Sequence, residues 1–203
     1  FKVNTDIFIR TMLLITVTTF FTSVSAKMGN TMLAANALLM QLFTLFSYMM
    51  DGFAYAAEAL TGRFIGAKKV NLLEQLIKAL FKWGLGLVAL FTVVYGFFTE
   101  QILGLLTDKA DVIAICREYQ MWALLMPVAG FSAFLWDGIF IGATASRQMR
   151  NSMFVAAASF FAIYYLLYNL WGNNALWLAF IIYLAMRGII QAFLYRNIRS
   201  KLI

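Results

Sequence analysis

Long apolar runs alternate with short charged segments along the whole chain. A helix needs about 20 mostly apolar residues to cross the hydrocarbon core of a bilayer. The charge-free stretches cover residues 11–26, 28–50, 83–99, 119–136 and 151–186. The last stretch is too long for one helix, and Gly172-Asn173-Asn174 in its middle is typical of a turn. The pattern therefore predicts six membrane-spanning helices.

The predicted spans extend these runs to the nearest charged or turn residues. They cover approximately residues 7–26, 31–66, 74–99, 117–146, 150–170 and 175–197. Residues 100–116 are predicted to form a polar, extracytoplasmic connector, and a short interfacial helix at residues 101–106 is an alternative within it. Because no Pro- or Ser-rich linker divides the chain, the predicted fold class is an all-α polytopic membrane protein in which residues 1–203 form one six-helix bundle.

Composition narrows the possible functions. Hydrophobic residues make up 63% of the 203 residues and charged residues 12%, whereas soluble domains carry about 25% charged residues. A soluble enzyme, a nucleic-acid binder and a disordered chain are therefore disfavoured. The absence of His excludes a His-based metal site or general base, and the single Cys116 excludes an internal disulfide. We expect no cofactor, no metal and no nucleic-acid partner.

The distribution of Lys and Arg predicts the orientation, because these residues collect in cytoplasmic connections. With the N-terminus inside, the inner segments hold Lys2, Arg10, Arg63, Lys68, Lys69, Lys78, Lys82, Arg147, Arg150, Arg187, Arg196, Arg199 and Lys201. The outer segments hold Lys27, Lys109 and Arg117. Both termini are therefore predicted to be cytoplasmic.

A cleaved signal peptide is the competing interpretation of the first 26 residues. Lys2 and Arg10 resemble a basic n-region, and Val24 and Ala26 fit the small-residue cleavage rule. Against this, polar residues recur at helical spacing along the segment, which a signal peptide does not need. The chain begins with Phe rather than Met, so we expect it to be a piece of a longer protein.

The second predicted span carries a polar stripe on one half of its surface. At about 100° per residue, one half of the helix holds Asn36, Gln41, Thr44, Ser47, Tyr48, Asp51, Tyr55 and Glu58. The opposite face holds Leu42, Leu45, Phe46, Met49 and Phe53. Lipid offers no hydrogen-bond partners, so the polar half must face other helices or water.

Two carboxyl groups distinguish this stripe from ordinary contacts between helices. An intramembrane acid costs ~2.5–3.5 kcal/mol on insertion scales, and such residues usually line ion or substrate paths. We expect Asp51 and Glu58 to face a cavity and to bind a proton, a cation or the substrate. Asn36, Gln41, Tyr48 and Tyr55 complete the predicted lining on this helix. The structural alternatives are interhelical hydrogen bonds for Thr44, Ser47 and Asn36, and pairing with a cytoplasmic Arg for Glu58.

Asp137 is a third intramembrane acid, in the fourth predicted span. Gly130 and Thr144 share its helix face at seven-residue spacing, and Pro127 is expected to kink the helix. A kink, small neighbours and an acid fit a helix that bends around a cavity, so Asp137 joins the candidate binding residues. The structural alternative is a buried Asp bonded to a nearby Tyr or Thr.

Two long segments resemble the multidrug and toxic compound extrusion (MATE) family, and its DinF-like subgroup in particular. They are LAANALLMQLFTLFSYMMDGFAYAAEALTGRFIGA at residues 33–67 and LWDGIFIGATASRQMRNSM at residues 135–153. The spacing of the six spans agrees with the family as well. Members have twelve helices in two lobes, and this chain resembles the C-terminal lobe.

This resemblance implies a multi-pass protein of the bacterial inner membrane that contacts lipid and pairs with an N-terminal six-helix lobe. The implied function is cation-coupled antiport, with a proton or sodium ion, that exports drug-like, cationic or amphipathic small molecules. Asp137 lies where some members place a cation-binding acid. The first span lacks an acid beyond Asp6, so the resemblance favours proton coupling centred in the other lobe.

Three other function classes compete with a transporter. A lipid-linked oligosaccharide flippase of the same superfamily would need more basic residues facing the cavity than Arg63 and Arg187. An intramembrane aspartyl protease would use Asp51 and Asp137 as a dyad sharing a proton, but Met50-Asp51-Gly52 and Trp136-Asp137-Gly138 do not match the contexts of such enzymes. A channel or scaffold is the remaining alternative. We therefore expect no catalytic residues.

Overall fold

A computed structural model describes residues 2–202 of the chain and the side chains of residues 3–196. Three of the inner cations, Lys2, Arg199 and Lys201, lie outside the described side chains. The helices are α1 (Lys2–Lys27), α2 (Asn30–Gly66), α3 (Val70–Leu106), α4 (Ala110–Glu118), α5 (Gln120–Gly142), α6 (Ser146–Trp171) and α7 (Asn173–Leu202). Residues 2–202 contain no strand, and six helices, all but α4, are long and apolar enough to cross a membrane. The predicted all-α, six-span fold class is confirmed.

The segment between the third and fourth spans differs from the predicted polar connector at residues 100–116. Helix α3 continues to Leu106, and α4 occupies most of the remainder. The reason is that apolar residues recur there at helical spacing, so that Leu103, Val112 and Cys116 become buried. The polar residues face outward, and Arg117 pairs with Glu100 at 2.5 Å.

Helix α5 packs against α2, α3 and α7 and so lies at the centre of the bundle. It continues as a helix through Pro127 and ends at Gly142, four residues before the predicted end of the fourth span. Thr144 therefore lies in the turn after α5, with a φ of 55°, and does not share the helical face of Asp137.

Glycines in α5 allow its backbone to touch α2 directly. A Cβ added to Gly138 would collide with the backbone of Ala54, and one added to Gly142 would collide with the carbonyl of Glu58. Gly138 and Gly142 are four residues apart on α5, as are Ala54 and Glu58 on α2. Small residues at this spacing let transmembrane helices approach closely. This contact holds Asp137, beside Gly138, next to the polar stripe of α2.

Candidate functional site

A cavity of about 480 Å³ opens between α1, α2, α5 and α7. It follows the middle of α2 and reaches the C-terminal end of α5. Its polar and charged lining consists of Arg10, Thr18, Thr44, Ser47, Asp51, Tyr55, Glu58, Asp137, Tyr183 and Arg187. Phe43, Phe134 and Phe180 add aromatic rings to the lining. The structure thus brings together all three predicted intramembrane acids.

Asp137 is the most heavily bonded of these acids. Its Oδ2 accepts a hydrogen bond from Arg187 Nη2 at 2.8 Å and another from Arg10 Nη2. Its Oδ1 accepts a hydrogen bond from Gln191 Nε2 at 2.6 Å. The partner in the structural alternative was a Tyr or Thr, but the carboxylate is instead engaged by two guanidinium groups and an amide. Buried charges require such partners, and this cluster supplies them to the Asp137 carboxyl inside the bundle.

Arg187 is fixed by its surroundings. Its side chain is 3% exposed, and its guanidinium carbon lies 5.5 Å from the centre of the Tyr183 ring and 5.8 Å from that of Phe134. The sequence places Arg10 and Arg187 inside the predicted spans 7–26 and 175–197, and Arg187 counts as a cavity residue only in the flippase alternative. Neither was a candidate binding residue, yet both line the cavity. The available signal was the four-residue spacing of Arg187 and Gln191, which places both on one face of an apolar helix.

Asp51 and Glu58 differ from Asp137 because neither forms an ion pair with any described side chain. Both line the cavity from the α2 side. The suggested pairing of Glu58 with an inner Arg is therefore not found among the described residues. Thr44 and Ser47 donate to the α2 backbone, to the carbonyls of Met40 and Thr44, rather than to another helix. Among residues 3–196, no group of three or more His, Cys, Asp or Glu side chains could hold a metal ion.

Asn36 does not line this cavity. It is buried and donates from Nδ2 to Ser25 Oγ and to Asn173 Oδ1, each at 2.8 Å. Its Oδ1 accepts a hydrogen bond from Trp177 Nε1 at 3.0 Å. These bonds join α1, α2 and α7, as in the structural alternative for this residue.

Gln41, Tyr48 and Tyr55 lie on the edge of the polar half of α2 that is opposite the edge with Asn36. Tyr55 lines the cavity, but its side chain is 70% exposed, and Tyr48 is 67% exposed. Gln41 is also exposed and lies outside the cavity. The stripe is therefore divided: its centre faces the cavity, one edge faces α1 and α7, and the other edge faces away from the helices of this chain.

Comparisons with known proteins identify the family of the chain. The MatE family model matches residues 7–168. The chain is 42% identical to DNA damage-inducible protein F of Escherichia coli strain K12, over 96% of the chain and 42% of that protein. It is 28% identical to the uncharacterized transporter YisQ of Bacillus subtilis strain 168, over 71% of the chain and 32% of YisQ.

A plant protein is also similar. Protein DETOXIFICATION 45, chloroplastic, of Arabidopsis thaliana is 25% identical over 76% of the chain and 28% of that protein. The chain spans less than half the length of each of these relatives. The extent of the family match and the 42% identity establish membership: the chain belongs to the MatE family of membrane transporters.

Proposed function

We propose that the chain is the C-terminal lobe of a cation-coupled antiporter that exports cationic or amphipathic, drug-like compounds. The observation that carries the proposal is the pair of carboxyl groups on Asp51 and Glu58, which line the cavity without an ion-pair partner among the described residues. Free carboxyl groups beside aromatic rings suit an organic cation, which gains from both charge and cation–π contact. The resemblance to transporters supports the same conclusion.

The partner in this proposal is an N-terminal six-helix lobe. Alternating access requires two bundles that move about a shared site, and the relatives are more than twice as long as the matched segment. The exposed edge of the α2 stripe, with Tyr48 and Tyr55, would face that lobe. The transporter would lie in the bacterial inner membrane with both termini of this chain in the cytoplasm.

Proton coupling is favoured over a sodium site at Asp137. Both oxygens of this carboxylate already accept hydrogen bonds, and guanidinium groups donate two of these three bonds. A sodium ion would therefore have to displace a charged partner. The same bonds argue against an aspartyl dyad, because Asp137 cannot share a proton with Asp51 while it pairs with two cations. Asp51 and Glu58 supply two further carboxyl groups that have no ion-pair partner among the described residues.

The test uses the full-length transporter in vesicles with an imposed proton or sodium gradient. Asp51→Asn removes the charge but retains the shape, and we expect it to reduce efflux of a cationic fluorescent dye at least tenfold. Glu58→Gln is expected to have a smaller or substrate-dependent effect. Asp108→Asn, at an exposed position outside the cavity, is the matched control. Normal dye efflux by a well-expressed Asp51→Asn variant across pH would contradict the proposal.

A further inference from the structure

The charge cluster around Asp137 is unbalanced, since one carboxylate faces two guanidinium groups. The two arginines are held differently. Arg187 is 3% exposed and is enclosed by aromatic rings, whereas the side chain of Arg10 is 21% exposed and lines the cavity. Asp137 is the ion-pair partner of Arg10 within the described residues. Arg187 and Asp137 therefore form the fixed pair, and Arg10 is the additional cation.

The additional charge of Arg10 matters because of what else lines the cavity. Asp51 and Glu58 contribute two further carboxyl groups from the α2 wall. Three carboxylates and two guanidinium groups leave one negative charge when all are ionised. Without Arg10, the same cavity would carry two negative charges. Charges interact more strongly in such a partly desolvated space than in bulk water, so this difference affects any charged ligand.

We propose that Arg10 is a specificity-determining residue that limits the net negative charge of the cavity and thereby favours monovalent over divalent organic cations. The inference rests on the proposed function, because it concerns the cations that this site would export. Arg10 repels a dication about twice as strongly as a monocation at the same position. Its loss is therefore expected to increase dication binding more than monocation binding.

The experiment measures binding to the purified full-length transporter by calorimetry. Tetraphenylphosphonium is the monocationic probe and methyl viologen the dicationic probe. For Arg10→Gln, we expect the ratio of dication to monocation affinity to rise roughly threefold or more. Arg10→Lys retains the charge and is expected to keep the wild-type ratio. Arg63→Gln removes a positive charge from an exposed position outside the cavity and is the matched control.

A second variant tests whether charge, rather than shape, is responsible. Arg10→Gln combined with Glu58→Gln restores the wild-type net charge, and the affinity ratio is expected to return towards the wild-type value. Because Arg10→Gln leaves the Arg187–Asp137 pair intact, we expect the protein to fold. Arg10→Met is measured in parallel as a second neutral variant. The inference is overturned if the neutral variants keep the wild-type ratio of dication to monocation affinity. It is also overturned if the double variant keeps a ratio as high as that of Arg10→Gln.

Transport of both probes by the wild-type protein is measured separately. If the affinity ratio shifts as expected but neither cation is exported, the proposed function fails while the charge assignment to Arg10 stands. If both cations are exported and the neutral variants leave the affinity ratio unchanged, the proposed function stands and the inference about Arg10 is wrong.

Discussion

Asp137 is the single carboxylate that the structure places between Arg10 and Arg187. Replacing it with Asn would leave two buried or half-buried guanidinium groups facing each other without a counter-charge. Removing one partner from a buried ion pair typically costs about 3–5 kcal/mol. We therefore expect Asp137→Asn to reduce folded yield and the melting temperature in detergent before any effect on transport can be assigned.

The matched control for this prediction is Glu100→Gln, which breaks the exposed pair with Arg117. Exposed pairs contribute about 0–1 kcal/mol, so this variant is expected to melt near the wild-type temperature. If Asp137→Asn were as stable as Glu100→Gln, the network around Asp137 would not contribute to folding, and a direct role in cation binding would become the better explanation of its position.

The burial of Cys116 leads to a prediction about the reactivity of its thiol. It lies on α4, outside the spanning helices, is buried, and donates from Sγ to the carbonyl of Ala35 at 3.6 Å. Burial raises the pKa of the Cys116 thiol to about 11. Because the folded pKa is raised, the neutral thiol favours folding below the pKa of the unfolded thiol, and that contribution is lost as the pH rises through about 11.

We expect the native protein to resist maleimide labelling at pH 7–8 and to react rapidly after denaturation in SDS. The reason is that the thiolate is the reactive form, and a buried thiol with a raised pKa supplies very little of it. The measurement is the time course of the mass shift at several pH values. Rapid labelling of the native protein at pH 7 would show that α4 does not cover Cys116.

At the scale of elements, the contact between α2 and α5 determines how the acids are arranged. Gly138 and Gly142 lie against the backbone of Ala54 and Glu58, so the two helices approach without intervening side chains. This spacing holds Asp137 on the same cavity as the Asp51 and Glu58 carboxyls of α2. The geometry depends on the absence of a Cβ at these two positions rather than on any polar contact.

Gly138→Leu is expected to force α5 away from α2, because even a Cβ at this position overlaps the backbone of Ala54. Overpacking of this kind typically costs about 1–3 kcal/mol, occasionally more. We expect a lower melting temperature and reduced dye efflux. Gly86→Leu on α3 is the control, since a Cβ there meets no atom within 4 Å. Equal melting temperatures for the two variants would contradict this account of the interface.

At the scale of the whole molecule, α1 is attached at both ends by buried polar groups. Near its N-terminus, Asp6 accepts hydrogen bonds from Arg150 Nη1 at 2.5 Å and from Ser146 Oγ at 3.0 Å. Near its C-terminus, Ser25 accepts a hydrogen bond from Asn36. Arg10 and the cavity lie between these two attachments, so α1 forms a cavity wall that is fixed at each end.

The orientation of the bundle leads to a labelling prediction. Lys69 lies in the turn between α2 and α3, and Asn174 lies in the first turn of α7, at the opposite end of the bundle; both are exposed. With cytoplasmic termini, an impermeant maleimide added to intact cells is expected to label Asn174→Cys but not Lys69→Cys in the full-length transporter. The transporter without either new cysteine gives the background labelling. The reverse pattern would contradict the proposed topology.

The class of molecule and the number of spans follow from the amino-acid pattern alone. Six helices followed from apolar runs and one turn signal, because each hydrophobic segment must be long enough to cross the bilayer whatever its neighbours are. Within residues 100–116 the sequence offered only a short helix at residues 101–106 and did not predict α4, where the buried side chains Val112 and Cys116 are interleaved with charged residues. The helical periodicity of that segment was present, but its four charged residues, Glu100, Asp108, Lys109 and Asp111, interrupt the apolar run.

The site itself depended on tertiary structure. A helical wheel placed Asn36, Asp51 and Tyr48 on one polar half of α2, but it could not show where neighbouring helices divide that half. The close α2–α5 contact and the position of α7 decided that Asp51 faces a cavity, Asn36 joins a buried network and Tyr48 faces outward. The pairing of Asp137 with Arg10 and Arg187 joins residues that are distant in sequence. Periodicity describes one helix at a time, whereas ion pairs between helices arise only when the bundle packs.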